Sequence, residues 1–150
     1  MNLARLQATS APAATLLIRI LVGAVFLSEG IQKFLFAAEL GAGRFAKIGL
    51  PEPGLLAPFV GGCEILCGSL VVAGVWTRLA VLPLLAIMTT AFFTTKLPIF
   101  LASGFWKMAH EGRTDFAMTL GSLFLLCVGA GPLSWDARGG RSAPETRPAK

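Results

Sequence analysis

The chain of 150 residues is long enough for one domain, yet 55% of it is hydrophobic and only 14% charged, with a mean hydropathy of +0.72. Soluble domains carry about 25% charged residues, so a water-soluble enzyme is excluded, and a disordered chain would need far less apolar content. The formal net charge of +5 comes from dispersed Lys and Arg with no basic run interleaved with aromatics, which points to anionic lipid and excludes nucleic acid as a partner.

A helix that crosses the hydrocarbon needs about 20 mostly apolar residues. Four segments qualify, and the first runs from about Pro12 to Phe36. Arg5 ahead of an apolar stretch is how a cleaved export signal begins, but Arg19 interrupts the stretch and no small-residue cleavage site follows, so it reads as a retained helix. Leu50-Pro51-Glu52-Pro53-Gly54 forbids helix before the second span, about Leu55 to Trp76. Thr77-Arg78 leaves only a tight turn, which makes the third span, about Leu79 to Leu101, an antiparallel neighbour of the second. Pro98 and Ser103-Gly104 are expected to close it.

The stretch Ser103 to Asp115 is amphipathic, with Phe105, Trp106 and Met108 beside Lys107, His110 and Glu111. It reads as a segment lying on the bilayer surface, or as a lid in which His110 titrates near neutrality as a proton donor. The fourth span is about Thr114 to Leu133, ended by Gly131-Pro132, and the Arg-, Gly- and Pro-rich residues 137–150 are expected to form a disordered basic tail. The expected fold is all-α, an integral membrane four-helix bundle over residues 1–136.

Four spans place both termini on one side. With the termini inside, the inner segments hold Arg5, Arg78, Arg138, Arg141, Arg147 and Lys150, against Arg44, Lys47, Lys107 and Arg113 outside, so the basic bias favours cytoplasmic termini.

Charges within the spans carry the functional information, because each costs about 2.5–3.5 kcal/mol to insert. Arg19 falls in the inner half of the first span, Glu29 and Lys33 in its outer half, Glu64 in the outer half of the second, Lys96 near the outer end of the third and Asp115 at the start of the fourth. Arg19, Gly23, Phe26, Gly30 and Lys33 share one helical stripe, and Gly61, Glu64 and Gly68 share another. Glycines permit close backbone approach, so Gly23, Gly30, Gly61 and Gly68 are expected to pack the first two spans together, with Arg19 reaching toward Glu64. Glu29, Glu64, His110 and Asp115 are the proton-relay candidates, and Arg19, Lys33, Glu64 and Lys96 the candidates for binding a polar headgroup. Each has a structural alternative: Arg19 with Glu64 as a register-fixing pair, and Lys33, Lys96 and Asp115 as interfacial anchors. Cys63, Cys67 and Cys127 lie in apolar runs without a Cys-x-x-Cys, and His110 is the one histidine, so no metal, haem or iron–sulfur centre is expected.

From about Leu17 to Asp136 the chain resembles the DoxX family of small bacterial membrane proteins. The resemblance rests on Arg19 followed by Phe26-x-x-x-Gly30-x-x-Lys33, on Leu50-Pro51, on Gly61-x-x-Glu64-x-x-x-Gly68 and on Gly74-x-x-Thr77-Arg78. Lys96-Leu97-Pro98, Arg113-Thr114-Asp115-Phe116-Ala117-Met118 and Gly129-x-Gly131-Pro132-Leu133-Ser134-x-Asp136 complete it. The resemblance implies the bacterial inner membrane and an accessory role in a redox system, with a non-covalently held ubiquinone or menaquinone at the outer half of the bundle. It also implies a redox enzyme as protein partner, or a second copy of the chain, in addition to membrane lipid. The alternatives are a non-catalytic scaffold for redox or envelope enzymes, whose tail is a contact site, and more distantly a small-solute or proton carrier.

Overall fold

Among residues 12–140, which the computed structural model describes, every regular element is helical. In chain order these are α1 (Thr15–Leu35), α2 (Ala42–Lys47), α3 (Pro53–Ala73), α4 (Thr77–Ala91), a π-helical turn (Phe92–Lys96), α5 (Leu97–Glu111), α6 (Arg113–Val128) and α7 (Trp135–Gly140). Three helices are long and apolar enough to cross a membrane: α1, α3 and the continuous 35-residue run Thr77–Glu111. The molecule is an all-α membrane bundle.

Apolar side chains face both inward and outward. The core is a narrow column of Val22, Phe26, Cys67, Val71, Ala80, Val81, Leu84, Met118 and Leu125 from α1, α3, α4 and α6. Larger apolar side chains such as Leu17, Leu55, Phe59 and Phe116 point outward, where lipid is their solvent. Helices in lipid gain nothing from hiding apolar surface, so close backbone contact must hold them together.

That contact is made by α1 and α3, which run antiparallel with glycine against glycine. A Cβ on Gly23 would lie 2.7 Å from the Gly68 carbonyl oxygen, and one on Gly30 would lie 2.7 Å from that of Gly61. The reciprocal positions are as tight, since a Cβ on Gly68 would meet the Gly23 carbonyl oxygen at 2.8 Å. We therefore expect Gly23→Ala to lower stability by about 1–3 kcal/mol, the usual cost of overfilling a packed contact. Gly62→Ala, one residue along from Gly61 with nothing within 4 Å, should leave stability unchanged or raise it by about 0.5–1 kcal/mol, the helix gain of Ala over Gly. Thermal melts of the two variants in one detergent check the pair.

Three boundaries differ from the expectation. The third helix does not stop near Leu101: the π turn carries it past Pro98, which occupies the first turn of α5 where a missing N–H costs nothing, and it continues to Glu111. The amphipathic stretch after Ser103 is thus mostly helix, redirected at Gly104, whose φ of 79° and ψ of 179° suit glycine alone. Gly104→Ala should cost about 1–3 kcal/mol in the same melts although nothing lies within 4 Å of the site, because the penalty is in the backbone.

The fourth helix ends at Val128, not near Leu133, because Gly129 (φ 83°) and Gly131 (φ 81°) leave helical space. At 16 residues α6 is about 24 Å long, short of the roughly 30 Å hydrocarbon core. Finally, the expected disordered tail does not begin at Ala137, which lies within α7; residues 141–150 fall outside the described residues.

Candidate functional site: two charge clusters at opposite ends of the bundle

The ionisable side chains of the spans separate along α1. Arg19 enters near its start and Lys33 near its end, which places them about 21 Å apart at 1.5 Å per residue.

Arg19 does not reach Glu64. Its guanidinium is buried and donates to four carbonyl oxygens: Nε to Val71 at 3.0 Å, Nη1 to Ala130 at 2.9 Å and Leu133 at 2.7 Å, and Nη2 to Val72 at 2.8 Å. The first and last of these belong to the C-terminal turn of α3, where a cation also complements the helix dipole. Gly74, in left-handed conformation (φ 72°), ends α3 against the guanidinium, and a Cβ there would sit 2.8 Å from Arg19 Cζ. Asp136 completes the cluster. Its carboxylate accepts from the backbone N–H groups of Trp76 (2.8 Å) and Thr77 (3.1 Å) at the start of α4, and its own N–H donates to the Gly74 carbonyl at 3.0 Å. Arg19 and Asp136 therefore clamp the α3–α4 turn to the segment after α6. Arg19 leaves the set of headgroup-binding residues, because its donors are engaged in holding the fold.

The second cluster surrounds a cavity of about 540 Å³ between α1, α2, α3, α4 and α6. Glu64, on the helix face that Gly61 and Gly68 bring against α1, places Oε2 2.6 Å from Lys33 Nζ. Glu29, one turn before Lys33, lies 3.9 Å from the same ammonium and is half exposed. Across the cavity the π turn delivers Lys96, whose Nζ is 2.9 Å from Asp115 Oδ2 and donates to the Glu111 carbonyl at 2.9 Å. Lys96 thus caps the last turn of α5 while Asp115 occupies the first turn of α6, each on the end its charge favours. Val25, Phe26, Ile87, Met88 and Met118 supply apolar wall.

The structure thereby brings Glu29, Lys33, Glu64, Lys96 and Asp115 to one chamber. His110 is exposed and lines neither this cavity nor the neighbouring one of about 680 Å³ between the π turn, α5 and α6. Gly23, Gly30, Gly61 and Gly68 form the α1–α3 seam behind the chamber.

Sequence reasoning missed several lining groups. Arg44 on α2 reads as an ordinary loop cation but lines the cavity. Thr90, Thr94 and Thr95 also line it; each hydroxyl donates to the carbonyl four residues earlier, and the cluster Thr89-Thr90 with Thr94-Thr95 was the signal available.

Comparison with known proteins adds the following. The sequence pattern of the DoxX family matches residues 14–97, more than half of the chain and a range that holds Glu29, Lys33, Glu64 and Lys96. An uncharacterized membrane protein of Mycobacterium tuberculosis (strain ATCC 25618 / H37Rv) is 49% identical over 140 residues, covering 89% of this chain and 86% of that protein. No solved structure matches significantly.

Proposed function

The chain belongs to the DoxX family and is a membrane protein, and on that premise we propose that it is an accessory subunit of a redox system that binds a quinone or quinol head in the Lys33–Glu64–Lys96 chamber. The observation that carries this reading is a buried ion pair, Lys33 with Glu64, inside a cavity whose wall alternates apolar side chains with Glu29, Arg44, Lys96 and Asp115. Small-molecule sites are typically about 300–1,000 Å³, and the chamber falls in that range at about 540 Å³, with its charged groups converging on one space.

The residues fit the head's chemistry. The ammonium groups of Lys33 and Lys96 are placed to donate to carbonyl oxygens, and the carboxylates of Glu64 and Asp115 to accept from hydroxyls. When bound, a quinone supplies reversible two-electron, two-proton chemistry, with the electrons exchanged through a partner protein. Glu64 Oε2 is placed to hold a proton, and Lys33 links it to the half-exposed Glu29, which faces outward. Within this reading the protein sits in the bacterial inner membrane with cytoplasmic termini, and the chamber opens in the outer half.

Titration of the purified protein with ubiquinol and menaquinol tests the proposal. Wild type should bind, and Lys96→Met should weaken binding at least about tenfold, since a hydrogen bond to a charged group contributes about 1.5–3 kcal/mol. Absence of binding by wild type overturns it; stoichiometric recovery of a redox enzyme without quinone would then favour the scaffold reading.

A further inference from the structure

The chamber is not the only space that Lys96 and Asp115 border. Together with Met88 they also line the second cavity, of about 680 Å³, so the ion pair stands as a partition between two adjoining spaces. The two differ in chemistry. On the far side of the partition the lining turns to Phe92, Phe105, Met108 and Phe116, and the one further charged residue there, Arg113, donates to the His110 carbonyl.

The rim of this second space is exposed and aromatic. Phe92, Phe105 and Phe116 are each two-fifths or more exposed on helices of a lipid-embedded bundle, and α5 buries no residue, so its wall stands free on the outer side. The Gly104 kink turns the last part of α5 away from the line of α4, and Met108 and Ala109, which follow it, line the space.

We infer that the two cavities form one site for an amphiphile, in which the head occupies the chamber and an isoprenoid or alkyl chain passes the Lys96–Asp115 partition to lie in the aromatic groove between the π turn, α5 and α6. This rests on the quinone reading above and extends it: the ligand is a long-chain, lipid-dissolved molecule that enters sideways from the bilayer. Continuity through the shared residues assigns the occupant. A chain attached to a head at Lys33 and Lys96 leaves past Met88, the apolar one of the three residues that border both spaces, into the aromatic groove.

The test uses the full protein in phosphatidylcholine nanodiscs with two photoreactive decyl benzoquinones, one carrying its diazirine at the chain end and the other on the ring. The chain-end probe should label Phe105, Met108 or Phe116, and the ring probe the chamber near Lys33 and Glu64. Excess tailless dimethoxy-methyl-benzoquinone should suppress both. At saturating probe, Ala109→Trp, which fills the groove without touching the chamber, should cut chain-end labelling of α5 and α6 at least about tenfold, because the chain is displaced from the groove, and leave ring labelling within about twofold.

Ring labelling of the chamber with chain-end labelling elsewhere overturns the groove and keeps the quinone reading. Groove labelling that tailless quinone does not suppress makes the groove a bed for phospholipid chains, which also overturns the inference. Failure of the ring probe to label the chamber overturns both.

Discussion

Arg19→Met is expected to lower stability by about 3–5 kcal/mol and to abolish accumulation of the protein in membranes. The substitution removes the donor seen for the Val72, Ala130 and Leu133 carbonyls, whereas Val71 keeps a bond from the Gly74 N–H. Each buried polar group left unsatisfied costs about 1–3 kcal/mol. Arg19→Lys should recover only part of the loss, since a compact ammonium cannot reproduce a planar fork that reaches two helix ends and a loop at once. Thermal melting in mild detergent, with membrane abundance measured in parallel, decides the point. An Arg19→Met protein that melts with wild type would show that the clamp contributes nothing.

Lys33→Met should be as damaging for a different reason, and its partner substitution should reverse the damage. The single change strands the Glu64 carboxylate, whose side chain is 3% exposed, without its counter-ion, and breaking a buried pair in this way costs about 3–5 kcal/mol. Lys33→Met with Glu64→Leu removes both charges and should return to within about 1 kcal/mol of wild type, because apolar replacement of a buried pair is often neutral. That double variant also separates structure from function. If it melts like wild type and still takes up quinol, the pair is a register device and the chamber's chemistry lies elsewhere. If it melts like wild type and binds nothing, the pair belongs to the site. A double variant as unstable as the single one would contradict the pairing.

The membrane bundle was legible because apolar length is a property of the sequence itself, and the glycine spacing on the first two spans could be read from helical periodicity alone. Arg19 shows where such reading stops. A buried cation suggests a carboxylate, and Glu64 was the carboxylate in reach of the stripe. The acceptors that hold Arg19 are backbone carbonyls, which every residue carries and no sequence marks. The same applies to Lys96 and the Glu111 carbonyl.

Pro98 misled for a related reason. Proline reads as a stop, but a π turn immediately before it lets the helix resume with proline in its first turn, and π turns have no compositional signature. The apolar residues after Val128 extended the fourth span on paper because hydropathy does not register backbone conformation. Gly129 and Gly131 turn that segment back toward Arg19 instead of onward through the membrane. Asp136 carried no assigned role for want of this return path.

The clamp also imposes an order in time. Synthesis proceeds from the N-terminus, and two of the acceptors of Arg19, at Ala130 and Leu133, lie 111 and 114 residues downstream. The first helix therefore enters the bilayer carrying a cation whose full set of partners does not yet exist. The end of α3 supplies Val71 and Val72 midway through synthesis, and only the segment after α6 completes the set. Until then the nascent chain holds a charge in the membrane without its full set of acceptors, which is costly. The segment that follows α6 is thus the one that completes the first helix.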